Sequence, residues 1–282
     1  ACPESAPGCV SFLAFLTPSS TRVSNIYSGL LIGGQVNAAD EFFVEGGTVQ
    51  ITRALADKSK AKIETGATVT GVSSTDIGAT VQYEKNGVLH NVQTKKCVMA
   101  VPAPLALSVL QDLPEAKRAA LEQCEYGAMS SAAFLVDRPS EEFFGEGIWR
   151  VPVVGMKTIG IGDPTFTFPA DMKRNDGRGL IRLYAGDDGS QTLQKMSDDE
   201  ALDAFEKDLV DIFPTARGRV LDRALKHWPY AICPWRVGRL DLIDDIRAPH
   251  DNVHYCGDYT ENFGLESAVL SAKRVVSELA NR

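Results

Sequence analysis

The chain has 282 residues, 44% of them hydrophobic and 23% charged, enough apolar material for one large domain or two lobes and too much for a disordered segment. A formal net charge of −8, without a cluster of Lys and Arg, argues against nonspecific nucleic-acid binding, which depends on neutralising phosphates. No apolar run reaches the ~18 residues of a membrane span and no basic-then-hydrophobic leader opens the chain, so a soluble, cytoplasmic protein with a small-molecule substrate is expected.

Residues 1–38 carry Pro and Ser and one apolar run, Val10-Ser11-Phe12-Leu13-Ala14-Phe15-Leu16, which reads as a packed helix or strand whose partner surface is absent. With Ala1 rather than methionine first, this segment is expected to link to a missing N-terminal part. Cys2 and Cys9, near Pro3, Pro7 and Gly8, are spaced for a small loop disulfide, with reduced thiols as the alternative. Cys97 and Cys256 are expected to be buried thiols in apolar strands.

From Gly47 to Lys60 the apolar positions Val49, Ile51, Ala54, Leu55 and Ala56 predict a helix with one buried face. Alternation from Lys62 to Val72 and from Ala79 to Tyr83, the Asn86-Gly87 turn signal and the stretch His90 to Gln93 predict a β-meander. It feeds a buried run from Lys96 to Val101. Leu105 to Gln111 and Glu115 to Glu122 read as short helices broken at Leu113-Pro114. Beyond them, strand-like Ser131 to Val136 and Gly179 to Ala185 alternate with a helix from Asp198 to Phe213, opened by the capping box Ser197-Asp198-Asp199-Glu200. Arg219 to Trp228 is a further strand. Leu30-Leu31-Ile32-Gly33-Gly34 and Gly160-Ile161-Gly162-Asp163-Pro164 read as turns between strands, since neither continues as a phosphate loop must, and Thr165 to Phe168 reads as β-rich.

At the far end, Val253 and Tyr255 lead an apolar strand into Cys256-Gly257-Asp258-Tyr259-Thr260, and Gly264-Leu265-Glu266-Ser267-Ala268 opens a helix that runs on to Leu279. Strand, Gly-Asp turn and helix start put backbone N–H groups and a carboxylate beside one cavity, the layout of a cofactor site. This block resembles the C-terminal flavin-binding motif of the flavin-containing amine oxidase superfamily, which includes protoporphyrinogen oxidases and phytoene desaturases. Gly46-Gly47-Thr48, then Ala54-Leu55-Ala56 and Ile63-Glu64-Thr65-Gly66-Ala67-Thr68-Val69, is similar to the family's passage of glycine pair, helix and strand. Met99-Ala100-Val101-Pro102-Ala103-Pro104 is similar to its strand ending in two prolines. The resemblance covers roughly residues 40–282 and rests on the order of the pieces.

It implies an α/β FAD-binding domain, incomplete and discontinuous, at 39–110 (with the β-meander) and 241–282 (last strand and helix), plus an α+β substrate lobe at 111–240. The Gly-x-Gly-x-x-Gly turn with which such proteins begin, and the acidic residue about 20 positions on, are not found. A second polypeptide supplying the nucleotide-binding part is therefore the expected partner. A partial or proteolysed chain and a flavin-free relative are the competing explanations.

For FAD, the resemblance assigns the Val69 backbone to the adenine. It assigns Gly257 and Asp258 to the ribityl and phosphate region, against an ordinary turn Asp, and Gly264 with Leu265 to a helix start facing the flavin N1 and C2 carbonyl. Glu266 is either a pocket residue or a first-turn carboxylate favoured by the helix dipole. The stretch His227 to Trp235 resembles an aromatic and proline segment near the flavin, making Trp228, Tyr230 and Trp235 substrate contacts or, equally, a packed cluster. Ser131 falls about where many amine oxidases carry a lysine, and Gly264 where they carry an aromatic, with Phe263 adjacent, so an amine is one candidate substrate among others.

His90, His250 and His254 are too scattered for a metal site, the serines lack the elbow of a hydrolase, and no catalytic acid or base can be named. The expected function is an FAD-dependent oxidoreductase passing a hydride from a small organic substrate, amines included, to flavin N5. The alternatives are a desaturase or isomerase acting on an apolar substrate, or a non-catalytic subunit without flavin.

Overall fold

The structure, a computed structural model, describes residues 44–145, 150–166, 168, 173, 175–262 and 264–280. The readings for residues 1–38, including the Cys2–Cys9 pair and the Leu30 to Gly34 turn, and for Phe263 lie outside these. The described chain divides into two units, one built from 44–125 and 238–280, the other from 126–237.

The first unit opens with α1 (Val49–Lys58). The predicted helix is present, but its apolar stripe is not buried: Leu55 is 63% exposed, and no described element packs closely on it. Residues 62–67 are not strand; pairing begins with β1 (Thr68–Thr75), followed by β2 (Gly78–Lys85) and β3 (Val88–Thr94) in an antiparallel meander of that spatial order. Asn86 and Gly87, at φ 53° and 76°, form the two-residue β2–β3 connection, the left-handed pair that matches strand twist. β4 (Cys97–Met99), α2 (Ala103–Val109) and α3 (Glu115–Glu122) follow. Pro102 and Pro114 stand at the helix caps, where a missing N–H removes no helical bond.

The second unit contains β5 (Gly127–Val136), α4 (Glu141–Phe144), β6 (Arg150–Pro152), β7 (Thr158–Gly162), β8 (Gly179–Gly186), α5 (Asp187–Leu193), α6 (Asp198–Ile212) and β9 (Val220–Ile232). Its five-stranded antiparallel sheet has the order β6-β7-β8-β5-β9. β8 buries every second residue, and the inward set Ala132, Phe134, Val136, Ile181, Leu183 and Ala185 packs with Leu193 of α5 and Leu202, Phe205 and Leu209 of α6. At roughly 1.5–3 kcal/mol for each large side chain fully buried, this layer is the main source of the unit's stability. The capping box of α6 forms as read: Ser197 Oγ accepts the Glu200 N–H at 3.3 Å and Glu200 Oε2 accepts the Ser197 N–H at 2.9 Å.

Three readings are corrected here. Gly160 and Gly162 lie within β7, paired to β8, rather than in a turn. The turn starts at Asp163, whose Oδ1 accepts the Thr165 N–H and hydroxyl at 2.7 Å each, so Thr165 and Phe166 are turn and not strand. β9 also runs past Trp228 to Ile232 through a register shift opposite Gly127–Met129.

The chain then re-enters the first unit with α7 (Ile243–Arg247), β10 (Val253–Tyr255) and α8 (Gly264–Ala280). β10 pairs in parallel with β4, Val253 opposite Cys97 and Tyr255 opposite Met99. Asn252 ties this pair to the meander through its N–H on Ser74 Oγ at 3.0 Å, and to Lys96 Nζ through its Oδ1 at 2.6 Å. Cys97 and Cys256 are half-buried rather than buried, because no further described strand flanks this pair.

Candidate cofactor site

Beyond β10 the Cys256 N–H bonds Met99 O at 2.9 Å and the chain leaves the sheet. Gly257 takes φ 144° and ψ 166°, a region essentially reserved to glycine, and a Cβ there would stand 2.8 Å from Tyr259 Cε1. Asp258–Thr260 form one 3-10 turn. It is closed by the Thr260 N–H and hydroxyl on Gly257 O at 3.0 and 2.8 Å, while the Gly257 N–H donates to Ser271 Oγ of α8 at 3.0 Å. The half-buried Asp258 carboxylate accepts the Tyr259 N–H at 2.8 Å. Gly264, at φ 85°, has open space where a side chain would stand, and exposed Leu265 and Glu266 follow in the first turn of α8. First-turn N–H groups have no acceptor inside their own helix.

Three arginines that the sequence reading missed hold this turn. Arg274 of α8 gives Nη2 to Tyr255 O at 2.9 Å and to Thr260 Oγ1 at 3.1 Å, Nε to Glu261 Oε1 at 2.9 Å and Nη1 to Glu278 Oε1 at 2.6 Å. Arg247 of α7 gives Nε to Thr260 O at 2.7 Å and Nη2 to Glu261 Oε2 at 2.5 Å. Buried Arg239 reaches Tyr259 O. Glu261 thus bridges two guanidinium groups, and charge-assisted bonds of this kind are about twice as strong as neutral ones. Apart from Glu278, four residues on along α8, these partners lie 13 or more residues apart in sequence, beyond the reach of any local pattern.

Lys117 of α3 is a second anchor. Its Nζ donates to Asp245 O, Ile246 O and Ala248 O at 2.8, 2.7 and 2.6 Å, satisfying the C-terminal end of α7, and lies 3.8 Å over the Tyr255 ring. Burial above all, with the charge of Arg274 nearby, pushes its pKa down to about 7. The Tyr255 hydroxyl shares a 2.7 Å hydrogen bond with His250 Nδ1. Burial raises the phenol and lowers the imidazole, which keeps both neutral near pH 7.

Of the predicted cofactor residues, Gly257, Asp258, Gly264, Leu265 and Glu266 thus sit on one turn and helix start. Val69 is in the same unit, 41% exposed on edge strand β1 beside a bulge at Val69–Gly71. Trp228, Tyr230 and Trp235 belong to the other unit. Trp228 is opposite Met129 of β5, Tyr230 meets Tyr126 edge-on with centroids 5.9 Å apart, and Trp235 follows β9 with its buried Nε1 unbonded among the described residues. Also among the described residues, no group of three His, Cys, Asp or Glu is arranged for a metal, and no helix is long and apolar enough to cross a membrane.

The profile of the flavin containing amine oxidoreductase family matches residues 11–280. The chain belongs to this family. Protoporphyrinogen oxidase 1 of Spinacia oleracea, a chloroplastic protein, is 28% identical to it over 257 residues, 83% of this chain and 45% of its own length. The Arabidopsis thaliana protein of the same name is 24% identical over 253 residues, 83% and 46%. Cyclohexylamine oxidase from Brevibacterium oxydans IH-35A superposes with a TM-score of 0.74 over 99% of this chain and 66% of its own, at 15% identity. Putrescine oxidase superposes with a TM-score of 0.66 over 84% and 53%, at 18% identity. The chain spans less than half the length of these curated relatives, and at such identities the solved structures speak for the fold alone.

FAD, the cofactor that membership of this family brings, fits the residues present. Gly264 leaves its backbone open to close approach, and the N-terminus of α8 offers donors to an electron-rich group. Tyr259 Oη and Asn262 Oδ1 are buried without hydrogen-bond partners among the described residues, beside the same turn.

Proposed function

We propose that this chain supplies the flavin-facing and substrate-binding parts of an FAD-dependent oxidoreductase that takes a hydride from a small organic substrate. A separate N-terminal half or subunit completes it with the nucleotide-binding turn. The observation that carries this reading is the turn at Gly257–Thr260 with Gly264 opening α8, standing beside a parallel pair that has two strands among the described residues, β4 and β10. Parallel sheets are ordinarily covered on both faces, whereas Val98, Val101, Leu265, Val269 and Leu270 are exposed around this pair.

When bound, flavin supplies the two-electron acceptor for a substrate hydride. The chain's own contribution is electrostatic and geometric. The first-turn N–H groups of α8 would stabilise negative charge on the cofactor and Asp258 would hold its polar groups, while Arg239, Arg247 and Arg274 keep the turn in one shape. The edge position of Val69 leaves backbone groups on the outer side of β1 for an aromatic base. Neither unit contributes a residue that we assign to proton transfer.

The test is to purify the chain with whatever polypeptide accompanies it, then record an absorption spectrum and intact masses. A flavin spectrum with a second polypeptide bearing Gly-x-Gly-x-x-Gly supports the reading. A preparation that stays colourless when mixed with FAD and such a partner overturns it.

A further inference from the structure

The sheet of the second unit buries one face under α5 and α6; its other face carries a charge pattern that the cofactor reading does not use. Strand register sets the rows on that face. Tyr184, Ser131 and Lys226 lie side by side on β8, β5 and β9, and in the next row Arg182, Ala133 and Ala224 do. The two facing alanines leave a hollow of about 280 Å³, bounded by Ser131, Arg182, Lys226, Leu180 and Pro164.

Arg182 is half-buried there and already oriented: its Nε donates to Ser131 Oγ at 2.9 Å, and its guanidinium carbon is 4.9 Å from the centroid of the Tyr184 ring. Among the described residues, neither Arg182 nor Lys226 has a carboxylate within ion-pair distance. In a chain of net charge −8 that contrast is informative, because other arginines of the same unit, Arg178, Arg219 and Arg223, are each paired with an acid. The acid on this face of β9, Asp222, lies one step of roughly 7 Å beyond Ala224, and its Oδ1 accepts the Arg223 N–H.

We propose that this hollow binds a carboxylate group of the substrate. The proposal rests on reading this unit as the substrate lobe. The planar guanidinium, its Nε tied to Ser131, presents its terminal nitrogens as a fork that matches a carboxylate, and Lys226 adds a point charge from the adjacent strand. Ala133, Ala224, Leu180 and Pro164 give the attached carbon skeleton an apolar floor. A cationic amine at the same place meets two like charges, so the face selects an organic acid against an amine. Ser131 acts here as a positioning residue for Arg182.

The probes are benzoate, benzylamine and inorganic phosphate, titrated into the full chain without flavin by ligand-observed NMR. The result then stands or falls separately from the flavin reading. Benzoate is expected to bind and benzylamine not. Arg182→Gln should weaken benzoate by about tenfold, and exposed Lys226→Gln by about threefold, while Arg178→Gln leaves it unchanged. Should Arg182→Gln fail to fold, Lys226→Gln decides alone. No benzoate binding, benzoate binding indifferent to Lys226→Gln, or benzylamine binding as tight as benzoate overturns the proposal. Displacement of benzoate by phosphate at a lower concentration than benzoate itself requires overturns the carboxylate assignment.

Discussion

Arg274 donates to the carbonyl oxygen of Tyr255 at 2.9 Å across 19 residues of sequence, and so fastens the last helix to the last residue of β10. The same guanidinium holds Thr260, Glu261 and Glu278. Arg274→Met should therefore cost about 2–4 kcal/mol of stability, since it leaves half-buried carboxylates and a carbonyl short of donors. The check is a urea-unfolding midpoint, read together with the flavin-to-protein ratio of the assembled complex, which should also fall.

Gly257→Ala tests the turn itself. The backbone at φ 144° and the contact of the new Cβ with Tyr259 predict a loss of about 1–3 kcal/mol together with loss of retained flavin. Gly66→Ala, at φ 67° with open space around the new Cβ, should cost about 1–2 kcal/mol and leave flavin retention intact. Equal flavin retention in the two variants would remove Gly257 from the cofactor site.

Lys117 gives a pH signature. Its pKa lies at about 7 in the folded protein against an ordinary 10.5, so between these values the unfolded chain binds more protons and stability rises with pH, by at most about 1.4 kcal/mol per unit. Lys117→Met should lower stability by about 2–3 kcal/mol at pH 7, because three carbonyls at the end of α7 lose their donor. The gap between wild type and variant should widen from pH 7 to pH 9.5 in denaturant titrations. A constant gap would mean that the lysine keeps its ordinary pKa.

Ser197→Ala removes one half of the capping box of α6 and should cost about 1 kcal/mol, seen as a lower thermal midpoint with no change in flavin content. A loss of flavin in this variant would contradict the assignment of the turn at 257–264 as the cofactor contact.

The sequence by itself determined what short-range rules decide. The Asn86-Gly87 hairpin follows from residues that tolerate left-handed backbone, the α6 boundaries from a capping box and a 3.6-residue apolar period, and β5 and β8 from period-two alternation. The turn at Gly257 was legible as a break between strand and helix because its chemistry is local: a residue without Cβ, an acid, and a helix that starts seven residues on. Only the tertiary structure decided the rest. Whether the stripe of α1 is covered depends on what packs over it, and Gly160 and Gly162 became strand because β8 supplies their backbone partners. The grip of Arg239, Arg247 and Arg274 on the turn, and the hollow between Ala133 and Ala224 flanked by Arg182 and Lys226, depend on side chains far apart in sequence. Cross-strand register and helix docking bring them together, and those are fixed by the cooperative burial of the whole sheet and core rather than by any neighbouring residue.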